Sequence, residues 1–130
     1  MSKRRGGAVS NQQSVLITGA GSGLGKALSQ TFAAAGYLVF AGDILFQEDS
    51  SHPGIQQMEL DVTSKESIQI LLKQVSGQVD KLNLLINNAG VAYNFPLAET
   101  DPEQVFDMLN VNSMGSLRMV HHFLPLLLKA

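Results

Sequence analysis

Cysteine is absent from all 130 residues, so neither a disulfide nor a thiolate nucleophile is available to this chain. Tryptophan is absent too and aromatics make up only 6%, so a core must be built mainly from the aliphatic part of a 45% hydrophobic composition. Charge is sparse at 15%, and the formal net charge of -2 leaves no basic surface for nucleic acid. The one charge run, Lys3-Arg4-Arg5, sits in a polar stretch that reads as a disordered tail over residues 1–13. No apolar run approaches the ~20 residues of a membrane-spanning helix. The first residues also lack the apolar stretch of a secretory leader, so a cytoplasmic location is the default expectation. Metal ligation is not expected. His121 and His122 are adjacent, ~100° apart on a helix, and cannot form a two-ligand face.

What is present is a regular alternation over residues 14–130. Val15-Leu16-Ile17 is a short apolar run ending in Thr18 and a glycine cluster, the pattern of a buried parallel strand. Leu24, Leu28 and Phe32 recur every four residues, with Ala27, Ala34 and Ala35 as small contact surfaces, and predict a helix that Gly36 stops. Leu38–Ala41 is the second strand, ending at Gly42-Asp43. Residues 44–57 are polar and can hold at most a brief helical turn. Met58-Glu59-Leu60 is a third strand. Thr63-Ser64-Lys65-Glu66 has capping-box spacing, followed by Ile68, Leu71, Leu72 and Val75 on one helical face. Leu82–Ile86 is the fourth strand. Thr100-Asp101-Pro102-Glu103 repeats the cap signal and opens a long helix towards Lys129, in which Met108, Met114 and Met119 are packing residues. Strands alternating with crossovers imply an α/β fold with a doubly wound parallel sheet.

Gly19, Gly21, Gly23 and Gly25 fall in the turn between the first strand and its helix. Such a turn lets backbone approach a pyrophosphate, and the helix start offers unpaired N–H groups and the positive end of a dipole. Asp43, eighteen residues after Gly25 at the end of the next strand, stands where a carboxylate accepts hydrogen bonds from ribose hydroxyls.

These residues resemble the short-chain dehydrogenases/reductases. Thr18–Gly25 matches that family's Thr-Gly-x-x-x-Gly-x-Gly signature, Leu60-Asp61-Val62-Thr63 its acidic motif after the third strand, Asn87-Asn88-Ala89-Gly90 its Asn-Asn-Ala-Gly motif, and Val111-Asn112 the position of its catalytic asparagine. The resemblance implies a Rossmann-like sheet in the order 3-2-1-4 and a dinucleotide cofactor. Gly19, Gly23, Leu24 and Gly25 would hold the pyrophosphate, with Ser22 adding a hydroxyl. Asp61 would meet the adenine amino group and Val62 the ring. Asn88, Ala89 and Gly90 would line the nicotinamide-side ribose beside Val111, and Asn88 would tie neighbouring strands. Asn112 would be the one catalytic residue present, holding a kinked helix whose carbonyl positions a water. A carboxylate at Asp43 repels the 2′-phosphate of NADP and no basic residue adjoins it, so NAD is the expected cofactor.

The family's general acid/base is a tyrosine with a lysine four residues on. Tyr37 is followed at that spacing by Ala41 and Tyr93 by Leu97, so the motif is missing. The chain therefore reads as a cofactor-binding portion truncated before the catalytic pair. A complete form would act on a small alcohol or ketone; the alternative is a non-catalytic dinucleotide-binding or interaction module. Truncation predicts an apolar edge at the fourth strand and a long helix exposing Val120, Phe123, Leu124 and Leu126–Leu128, hence self-association.

Overall fold

The structure is a computed structural model that describes residues 11–130. The expected disordered tail lies outside the described residues over 1–10. At its end, Gln13 already accepts a backbone hydrogen bond from Leu38 at 2.9 Å.

Four parallel strands form one sheet in the order β3-β2-β1-β4: β1 Ser14–Thr18, β2 Leu38–Asp43, β3 Ile55–Glu59 and β4 Leu84–Ile86. The expected order is the observed one. Strand β1 lies inside the sheet, paired with β2 from Ser14↔Leu38 to Thr18↔Gly42 and with β4 from Val15↔Leu84 to Ile17↔Ile86. Its five residues are all buried, because helices cover both faces of the sheet.

Two elements differ from the sequence reading in extent. Strand β3 begins at Ile55, not Met58, since Val39 to Asp43 of β2 pair with Ile55 to Glu59. Strand β4 is shorter than Leu82–Ile86. Leu82 is fully buried but donates its N–H to the Leu126 carbonyl. Asn83 meets Ser14 through one backbone and one side-chain bond, its N–H donating to Ser14 O at 3.2 Å and its Oδ1 accepting from Ser14 N at 2.9 Å.

Helix α1, Gly23–Ala34, follows β1 and ends before Gly36, whose φ of 92° only glycine adopts easily. Its buried face is Gly25, Ser29 and Ala33, with Leu28 and Phe32 partly covered; Ala27, Ala34 and Ala35 are exposed. Leu24 is 67% exposed despite its place in the apolar spacing. Helix α2, Lys65–Ser76, buries Ile68, Leu71 and Val75 as its pattern predicts.

The long C-terminal helix is two helices joined by a wider turn: α3 Pro102–Leu109, a π-helical segment Asn110–Met114, and α4 Gly115–Leu128. Helix α3 buries nothing, whereas α4 buries Gly115, Met119, Phe123 and Leu126. The expectation that Phe123 and Leu126 would be exposed is therefore corrected. Both belong to the cluster with Leu16, Phe40, Leu71 and Leu82, because α4 packs against α2 and the start of β4. Val120, Leu124 and Leu128 are exposed as expected; Met119 packs in the core, while Met114 faces solvent.

Both anticipated helix caps move one residue along. The N-cap of α2 is Ser64, accepting from Ser67 N at 3.1 Å, because the Thr63 hydroxyl donates to Asp61 instead. The N-cap of α3 is Asp101, accepting from Glu103 N at 3.0 Å, because the Thr100 hydroxyl donates back to Pro96 O.

Candidate functional site

Parallel strands deliver their C-terminal ends to one edge of the sheet, and the order reverses between β1 and β4, so a crevice opens beyond those ends. A cleft of about 410 Å³ lies there. Its lining includes Gly19, Ser22, Gly23, Leu24, Asp43, Asp61, Val62, Asn88, Ala89, Gly90 and Val111, brought together from five separate segments. Ile44, Leu60 and Val91 complete it. Gly25 and Asn112, also singled out from the sequence, stand behind the lining.

The glycine turn is shaped by close approach. A Cβ on Gly25 would lie 2.1 Å from the Gly19 carbonyl oxygen and 2.6 Å from Asn88 Nδ2, so only hydrogen fits. Gly23 has a φ of 54° and nothing within 4 Å of its missing Cβ, leaving the backbone open to the cleft. Helix α1 then starts with no side-chain cap on Ser22 and no acidic residue in its first turn. Its leading N–H groups have no intrahelical partners and form the positive end of the helix dipole, which is the donor set an anion requires. Leu24 is exposed because it faces this cleft.

Asp43 braces the turn. Its Oδ2 accepts from Gly21 N at 2.7 Å and its Oδ1 from Ile44 N at 2.7 Å. Each oxygen keeps further acceptor capacity for a donor arriving in the cleft. Lys26, the nearest basic residue in sequence, is turned away and pairs with Glu48 at 2.7 Å. That hydrogen bond and the lysine's charge hold the exposed Glu48 carboxyl below its usual range.

Asp61 uses Oδ1 to accept from the Thr63 N–H at 2.9 Å and the Thr63 hydroxyl at 2.7 Å, closing a tight loop after β3. On the other side, Asn88 Nδ2 donates to Gly19 O at 3.1 Å, tying the segment after β4 to the glycine turn. The sequence reading gave Thr18 no role of its own. Its buried hydroxyl oxygen accepts from Asn88 N at 3.0 Å and Ala89 N at 2.9 Å, and its place at the strand end ahead of the glycines was the available signal.

Asn112 lies in the π-helical segment and clamps one residue of the lining. Its Oδ1 accepts from Val91 N and its Nδ2 donates to Val91 O, both at 2.8 Å. The expected helix irregularity is thus a wide turn at Asn110–Met114. His121 and His122 touch edge to face, with centroids 5.1 Å apart. Among the described residues no group of His, Asp or Glu is arranged to hold a metal ion, and no helix is long and apolar enough to cross a membrane.

Residues 13–130 match the short chain dehydrogenase family. The short-chain dehydrogenase virD of Hypocrea virens is 38% identical over 125 residues, an alignment spanning 92% of this chain and 43% of that protein. The NADPH-bound carbonyl reductase from chicken fatty liver superposes with a TM-score of 0.83 at 32% identity, over 92% of this chain and 53% of that one. The ligand-free aldohexose dehydrogenase of Thermoplasma acidophilum shares the fold, with a TM-score of 0.84 at 20% identity, over 92% of this chain and 46% of that one. The chain spans about half or less of the length of these proteins.

Proposed function

The chain belongs to the short-chain dehydrogenase family, and on that footing we propose that it is the cofactor-binding part of an NAD-dependent oxidoreductase acting on an alcohol or carbonyl substrate. The observation that carries the reading is the uncapped start of α1, opening through Gly23 into a cleft that Asp43, Asp61 and Asn88 also border. The pyrophosphate would lie on the N–H groups of the α1 turn, with the Ser22 hydroxyl as a further donor. The adenosine ribose would meet Asp43, the adenine Asp61 and Val62, and the nicotinamide-side ribose Asn88, Ala89 and Gly90. When bound, the nicotinamide gives or takes the hydride. Asn112 would act through Val91 and its own backbone on the reacting end.

NAD is favoured over NADP by charge. A 2′-phosphate placed at the ribose would approach the Asp43 carboxylate, and Lys26 is engaged by Glu48. The chicken carbonyl reductase binds NADPH, so the choice needs measurement. Titrating the intrinsic fluorescence of NADH and NADPH with the chain is expected to show NADH binding at least about tenfold tighter. Equal affinities would overturn the NAD assignment, and no binding of either would overturn the reading.

The second reading is a dinucleotide-binding module without catalysis. Within these 130 residues neither Tyr37 nor Tyr93 has a lysine four residues on, and the chain spans 43% of the virD dehydrogenase. Sequencing the transcript beyond Ala130 for Tyr-x-x-x-Lys separates the two. Self-association is also proposed, supported by Phe106, Leu109, Leu117 and Leu128, all more than half exposed along α3 and α4. Sedimentation is expected to show oligomers that grow with concentration.

A further inference from the structure

The two ends of the cleft are carried by different elements: Asp61-Val62 after β3, and Val91 with Val111 beside the π-helical segment. Arg118 of α4 joins them without lining the cleft. Its Nη1 donates to Val62 O at 3.1 Å and to Asn110 O at 3.2 Å, and its Nη2 donates to Asn110 Oδ1 at 2.6 Å. All three acceptors are neutral. Among the described residues the ion pair is Lys26–Glu48, so this partly buried guanidinium has no carboxylate partner. A planar fork of fixed donors suits such a task better than a point charge.

A second contact joins the same two places. A Cβ on Gly115 would stand 2.6 Å from Val62 Cγ2, so the backbone of α4 seats directly on Val62. Asn110 opens the wide turn, and its carbonyl already takes the Gly115 N–H across it. Two residues further, Asn112 grips Val91. A continuous chain of contacts thus runs from Val62 through Arg118 and Asn110 to Asn112 and Val91.

We infer that Arg118 is a positioning residue that sets the adenine end of the cleft against its far end, so that a ligand spanning both meets both at once. The inference rests on the dinucleotide reading of the cleft. A ligand that occupies one end is indifferent to the clamp; a whole dinucleotide is not.

The test compares AMP, which reaches only the adenine end, with NADH in titrations of the chain and of Arg118→Met and Arg118→Lys. AMP affinity is expected to stay within about threefold of the parent, while NADH weakens by about tenfold or more in both variants. Equal losses for the two ligands, or none, would overturn the inference. So would Arg118→Lys restoring NADH affinity, because charge alone would then suffice. Asn110→Ala removes only the Nη2 contact and serves if the Arg118 variants fail to fold; it should show a smaller loss confined to NADH, and unchanged NADH affinity counts against the clamp. If the parent binds neither ligand, the dinucleotide reading has failed. Amide exchange of the free chain then decides the clamp: Arg118→Met should speed exchange at both Gly115 and Ser64 while Val15–Ile17 stay protected, and unchanged rates at both sites overturn it.

Discussion

Helices α1 and α2 both begin after a strand end and both leave their first N–H groups without intrahelical partners, yet they resolve this differently. Helix α2 resolves it internally. Ser64 caps it, Glu66 places negative charge in its first turn, and Lys73 sits in its last. Helix α1 has no cap, no acid in its first turn and no base in its last, and it starts on Gly23 facing open space. The first arrangement maximises the stability of the helix itself. The second leaves donors unspent at the edge of a cleft. A helix start that forgoes stabilisation available to its neighbour is what the proposed pyrophosphate site would require.

Substitutions can break the contrast at graded cost. The largest effect is expected from Gly25→Ala, whose new methyl would meet the Gly19 carbonyl at 2.1 Å. Stability should fall by about 3 kcal/mol or more in urea unfolding, with NADH binding lost. Next is Asp43→Asn, which keeps an acceptor for the Gly21 N–H but removes the charge. It should shift the NADH to NADPH affinity ratio by about tenfold towards NADPH, read by competition titration. A paired experiment sharpens the comparison directly. Ser64→Ala should cost about 1 kcal/mol of stability and leave NADH affinity unchanged, whereas Ser22→Ala should leave the unfolding midpoint in place and weaken NADH by roughly threefold. The smallest effect belongs to the exposed Lys26–Glu48 pair. The folded-state pKa of Glu48 is depressed, so the pair's stabilisation is present above the usual carboxylate pKa of 4.5 and is lost as pH falls through the lowered value. A Glu48→Gln variant should therefore be slightly less stable than the parent on the neutral side of an acid unfolding series and indistinguishable from it at the acid end.

Much of the fold was legible because its signals are local. Apolar runs marked β1 and β2, and Ile68, Leu71 and Val75 marked the buried face of α2. Strand order followed from the alternation of strands and crossovers and from the resemblance together. Side chains that choose between two local partners were not legible. Thr63 and Thr100 each fit a cap by spacing, yet each hydroxyl turns to an acceptor earlier in the chain and leaves the cap to the next residue. Leu24 fits an apolar stripe by spacing but lies where the helix meets the cleft, so periodicity misplaces it. Phe123 and Leu126 were misjudged because their burial depends on α2 and Leu82, neighbours about fifty residues away in sequence. In the cleft, motif residues were readable one by one. Of the links between them, the resemblance implied only the tie made by Asn88, while Thr18 to Asn88 N and Asn112 to Val91 are pairings across distant segments that leave no local signal.

The wide turn at Asn110–Met114 also bears on how this region tolerates changes of length. A π-helical turn is an α-helix with one residue too many, and removing one residue between Asn110 and Met114 would let α3 and α4 run on as a single regular helix. Local hydrogen bonding would improve. The two helices would nevertheless have to rotate against each other by ~100°. Helix α4 is anchored by Met119, Phe123 and Leu126, while α3 buries nothing, so α3 would be the one to turn. It would carry Asn112 off Val91 and Val111 out of the cleft. In this stretch a single-residue deletion is more disruptive than most substitutions, and the surplus residue is what keeps the helix in phase with two surfaces at once.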